Sequence, residues 1–163
     1  KESLLKGFQY NEYEFSSKIK FTEYNNAYYL GSLDNPYMAL VTMIDKEAST
    51  VDIHQDTITI LGAAFSNMEN VTEINIPDSV TTIGDYAFSG CLNLTYIVIP
   101  SNVVNMGKNI FNQLSSNSSI TIYCELIKIP DTWNSNWNKD NYTVYLQGEW
   151  KYDEKGVPMP INN

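Results

Sequence analysis

Residues 74–94 read INIPDSVTTIGDYAFSGCLNL, and this stretch decides the fold. Its apolar residues come in short pairs broken by Pro77, Gly84 and Gly90. That is too punctuated for a helix and too irregular for a long strand. The neighbouring sequence repeats it. Residues 51–73 read VDIHQDTITILGAAFSNMENVTE, residues 97–119 read IVIPSNVVNMGKNIFNQLSSNSS, and ITIYCELIKIPDTW starts at 120. At a period of 23 residues, Val51, Ile74, Ile97 and Ile120 share one column, and Ile53, Ile76, Ile99 and Ile122 another. Thr57, Val80, Val103 and Leu126 form a third, and Ile60, Ile83, Met106 and Ile129 a fourth. Phe65, Phe88 and Phe111 each follow Ala64, Ala87 or Ile110, and Met68, Cys91 and Leu114 close the unit.

A unit this short cannot bury its own apolar face, so successive units must stack and share a core. Each I-x-I predicts a short strand with both isoleucines pointing inward, stopped by Pro77 or Pro100 because proline cannot donate into a ladder. The second pair, as in VTTI at 80–83, predicts another short strand on a different side of the coil. The expected fold is a mainly β repeat solenoid with 23-residue coils over 51–133, in units starting at 51, 74, 97 and 120. Residues 1–50 form a β-rich N-terminal cap. Runs 27–30 and 37–44 flank the turn signal GSLDNP and predict a hairpin, with 19–24 as a third strand. KESLLKGF at the start reads as a frayed end or a short helix. Residues 134–163 form a C-terminal cap and tail. Trp133, Trp137 and Trp150 are placed to seal the last coil, YTVYL adds one final strand, and KYDEKGVPMPINN is expected to be loosely ordered.

The unit resembles the BspA-like leucine-rich repeats of bacterial surface proteins, which read approximately L-x-x-I-x-I-P-x-x-V-x-x-I-G-x-x-A-F-x-x-C. Residues 71–91, VTEINIPDSVTTIGDYAFSGC, follow that pattern almost position for position. Residues 94–114 depart from it at Met106, Ile110 and Leu114, and the first unit at His54 and Met68. The resemblance implies a leucine-rich-repeat solenoid at the cell surface or outside the cell. It further implies adhesion to a protein ligand, including host or extracellular-matrix proteins, and says nothing of oligomeric state.

Composition excludes several classes. The net charge is −9 with no arginine, which removes the positive footprint that nucleic acids and anionic membranes need. No apolar run approaches the roughly 20 residues of a membrane-spanning helix. Cys91 and Cys124 lack metal or redox spacing and read as a buried pair of thiols or a single bridge. His54, the only histidine, alternates with Asp52 and Asp56 in VDIHQD; such a trio is a poor metal site and reads better as a solvated strand edge. No G-x-S-x-G elbow, G-x-G-x-x-G or P-loop is present, so neither catalytic residues nor cofactors are expected. Trp133 and Trp137 read as capping residues, with a carbohydrate platform as the alternative. The sequons at Asn70, Asn93, Asn117 and Asn141 read as incidental.

If Ile74 and Ile76 point inward, their neighbours point outward. The predicted outer rows are Thr50, Asp52 and His54; Glu73, Asn75 and Pro77; Tyr96, Val98 and Pro100; and Ser119, Thr121 and Tyr123. Asn75, Tyr96, Val98, Thr121 and Tyr123 are the candidate ligand-binding residues of this face, unless the C-terminal cap or the tail covers them. The competing expectation is a structural spacer that presents another domain of a larger surface protein.

Overall fold

The computed structural model describes residues 20–112 and 120–161. The expectation for KESLLKGF, the Leu114 and Ser119 positions and the sequon at 117 lie outside the described residues. All thirteen elements are short strands, and no described residue is helical.

Strands β1 (Thr22–Tyr24), β2 (Ala27–Leu30) and β3 (Ala39–Met43) form the expected antiparallel cap. Asn25 and Asn26 make the β1–β2 turn with φ of 41° and 65°, a conformation that asparagine tolerates. β3 then pairs in parallel with β5 (Thr59–Ile60), the second strand of the first coil. β5 pairs with β7 (Thr82–Ile83), and β7 with β9 (Asn105–Met106), with Ile60, Ile83 and Met106 in register. The cap and the three second strands therefore make one six-stranded sheet.

The first strands of the coils form the other wall. β4 (Thr50–Asp52) pairs with β6 (Glu73–Asn75), setting Val51 beside Ile74 at the 23-residue period. β8 (Tyr96–Ile99), β10 (Thr121–Cys124) and β11 (Thr143–Tyr145) make a separate parallel sheet. β6 and β8 lie alongside each other without sharing a ladder.

The period breaks at the fourth unit. Ile97 pairs with Ile122, not with Ile120, so this coil spans 25 positions instead of 23. Ile122 in turn pairs with Val144 after 22. A shift of two residues preserves the alternation of a strand, so Ile120, Ile122 and Cys124 all remain buried although the register has moved.

Between the walls lie the repeat columns. Phe65, Phe88 and Phe111 stack with centroid separations of 5.4 and 5.7 Å, and Tyr142 closes the row edge-on at 6.3 Å. Fully burying such a ring stabilises by about 1.5–3 kcal/mol, so this column and its aliphatic neighbours carry the array. The turn before each phenylalanine needs a left-handed residue, and Ala63, Tyr86 and Asn109 supply it at φ near 55°. Gly84 sits where adjacent coils touch: a Cβ there would lie 2.4 Å from the Gly62 nitrogen.

Tryptophans close the C-terminal coil. Trp133 is buried and its indole N–H donates to the Val103 carbonyl at 3.1 Å, with Trp137 packed edge-on at 5.0 Å. The tail, expected to be loose, instead forms a hairpin of β12 (Trp150–Tyr152) and β13 (Pro158–Pro160). Its turn is organised by Asp153, whose carboxylate accepts the N–H groups of Lys155 and Val157, with Gly156 left-handed at φ 79°.

Candidate binding face

The outward side chains of the first-strand wall form one surface, and the altered register rearranges its rows. Tyr96 stands beside Thr121 and Thr143, while Val98 stands beside Tyr123 and Tyr145. The fourth outer row is thus Thr121, Tyr123 and Glu125, in place of Ser119, Thr121 and Tyr123. Pro77 and Pro100, expected to point outward, are buried.

The five candidate residues do not share one environment. Asn75 is exposed, and Tyr96, Val98 and Thr121 are half-buried. Tyr123 is only 5% exposed. Its ring stacks on Tyr145 at 5.6 Å and meets Trp150 at 5.3 Å. Trp150 is held there by its indole N–H, which donates to the Cys124 carbonyl at 3.0 Å. The C-terminal hairpin therefore folds back over the last two rows. Cover by the tail was one of the two sequence expectations, but its form as a hairpin was not: the signal lay in Trp150 and the alternation of WKY, which a polar, proline-containing tail obscured.

Where the hairpin stops, a cleft of about 200 Å³ opens between β6 and β8. Its walls include Asn75, Tyr96 and Val98 from the coils and Tyr152 and Pro158 from the hairpin. Glu73, Asp78 and Glu125 bring three carboxylates to it. The Tyr96 hydroxyl is pushed above the usual tyrosine range by burial and then by the charges of Glu73 and Asp153. Burial does the same to Tyr152, assisted by Glu125 and Asp78. A second, shallower groove of about 380 Å³ runs over Asn25, Asp52, Glu73 and Asn75.

His54 leaves the edge where the sequence placed it. Its imidazole stacks on Tyr37 at 3.7 Å and meets Tyr24 edge-on at 4.7 Å. Nδ1 accepts the Asp56 N–H at 3.1 Å, and the His54 N–H donates to the Tyr29 hydroxyl. Asp52 is bonded instead by the Asn25 amide. Asp52 thus turns away while the Asp56 carboxylate stays 3.9 Å from His54 Nδ1, and no group of three or more potential metal ligands gathers among the described residues. His54 belongs to the joint between the cap and the first coil.

Cys91 and Cys124 are separate buried thiols. Burial pushes each up to about 12, so neither is a nucleophile near neutral pH. Trp133 is enclosed by the last coil, which removes the paired-tryptophan sugar platform. No helix of the described residues is long and apolar enough to cross a membrane.

Parallel first strands, a repeating coil of about 23 residues and aligned phenylalanine turns define a repeat solenoid of the leucine-rich-repeat type. The sequence model of the BspA-type leucine-rich repeat region (six copies) matches residues 43–145, and the chain belongs to that family. No curated protein and no solved structure gives a significant match.

Proposed function

We propose that the chain is a non-catalytic, extracellular binding module of a bacterial surface protein, and that its first-strand face meets a protein ligand. Membership of the BspA-type family supports the surface location. The observation that carries the binding role is the open cleft beside Asn75, Tyr96 and Val98, three of the residues singled out by their outward columns. Thr121 extends this surface beside Tyr96, and Tyr123 acts as the packed floor beneath the hairpin. Exposed aromatic and apolar groups within a polar surround are what protein interfaces use.

Immobilised extracellular-matrix proteins, titrated with the chain in biolayer interferometry, test this reading. Saturable binding that weakens about tenfold in Tyr96→Ala, with an unchanged melting temperature, is expected for an interface anchor. Equal binding by wild type and Tyr96→Ala removes the face from consideration. The alternative of a spacer is favoured by one observation, the chain's own hairpin covering Tyr123. It predicts no saturable binding to any matrix protein.

A further inference from the structure

The cleft between β6 and β8 has a chemistry of its own. Glu73, Asp78 and Glu125 line it, and among the described residues no lysine or histidine does. The Glu73 carboxylate accepts a bond from the Asn75 amide at 3.1 Å. Among the described residues no cation lies within ion-pairing distance of any of the three acids. The negative field is felt by both tyrosines, each with two carboxylates among the causes that raise it. Tyr96 and Tyr152, from opposite walls, add aromatic faces, and Val98 adds an apolar floor. Carboxylates beside aromatic rings in a partly desolvated groove are complementary to an alkyl ammonium or guanidinium group. A volume of about 200 Å³ has room for one extended side chain.

The geometry points to this cleft as the socket for a lysine or arginine side chain presented by the protein ligand. This inference rests on the binding role proposed above and names the chemistry of the partner. The apolar stem of the basic residue lies along Val98 and the tyrosine rings, as long cationic side chains do, and its charge reaches the carboxylates. The unusual gap in the strand ladder supplies the room. β6 ends at Asn75, and the half-buried Ile76 follows without a ladder partner in β8.

The test uses the full 163-residue chain and blocked pentapeptides, Gly-Gly-X-Gly-Gly, with X as lysine, arginine or norleucine. NMR shifts of the Tyr96 and Tyr152 rings are followed against peptide concentration. Saturable shifts with the lysine and arginine peptides, absent with norleucine, are expected. Glu73→Gln combined with Glu125→Gln, near-isosteric changes at accessible positions, weakens binding about tenfold, and raising the salt weakens it further. A control pair away from the cleft, Glu69→Gln with Asp140→Asn, leaves it unchanged. Absence of saturable shifts, an equal response to norleucine, or equal losses in the cleft and control pairs overturns the inference. Its failure is distinct from failure of the binding role. Matrix-protein binding that depends on Tyr96 but survives Glu73→Gln and Glu125→Gln keeps the interface and removes the socket. Peptide binding without any matrix-protein binding keeps the socket and removes the adhesive role.

Discussion

Ala63 and Gly84 show how the repeat treats single positions. Ala63 is exposed and sits at φ 57°, where a Cβ costs roughly 1–2 kcal/mol. Ala63→Gly relieves that strain at the expense of a more flexible unfolded chain, so a net gain of about 0.5–1 kcal/mol is expected in a thermal melt. Gly84→Ala has the opposite effect. Its new Cβ would press on the backbone of Leu61 and Gly62, costing about 1–3 kcal/mol. Cys91 and Cys124 make a chemical prediction. Both thiols should resist iodoacetamide in the folded protein at pH 8 and react fully once it is unfolded. Their raised folded values also fix the sign of the alkaline response. The unfolded thiols ionise near the ordinary cysteine value of 9.0 while the folded ones hold their protons to about 12, so the unfolded state binds fewer protons in that window. Stability is unaffected by these groups below pH 9 and falls as the pH rises above it. Denaturant titrations from pH 8 to 11 should show that decline lessened in Cys91→Ala.

The strands themselves are too short to persist alone, and each depends on its neighbour. The terminal elements differ in how they were readable. The N-terminal hairpin was legible because GSLDNP stands between two β-rich runs, a local signal. Which sheet it joins was not, because β3 finds β5 only when the coil closes. The C-terminal hairpin was missed for the same physical reason. WKY favours a strand but PMP, with two prolines, does not, and the pairing is fixed only when Trp150 docks on Tyr123 and the Cys124 carbonyl. Trp150→Ala should therefore loosen this hairpin while sparing the solenoid. Hydrogen exchange is expected to speed up at residues 150–160 and to stay slow at β5, β7 and β9. Uniform acceleration across both regions would show that the hairpin belongs to the global unit.

At the scale of the molecule, the chain is a nearly one-dimensional stack, and its stability should scale with the number of coils. Excising residues 74–96 removes one period and joins Glu73 to Ile97, leaving the inward columns matched. Circular dichroism should show a folded β protein with a lower melting temperature. Excising residues 74–85 leaves half a coil and should abolish the cooperative transition. The period, the inward columns, the phenylalanine stack and the family were all determined by the sequence, because a repeated pattern encodes contacts between equivalent positions. A two-residue register shift escaped it, since a strand's alternation is unchanged by two. Which outward residues stay open was likewise decided only in three dimensions. Tyr123 is covered and Tyr96 borders a cleft because a distant hairpin returns across one part of the face and stops short of the other. Outward residues carry no repeated partner, so their surroundings depend on contacts that no periodicity records.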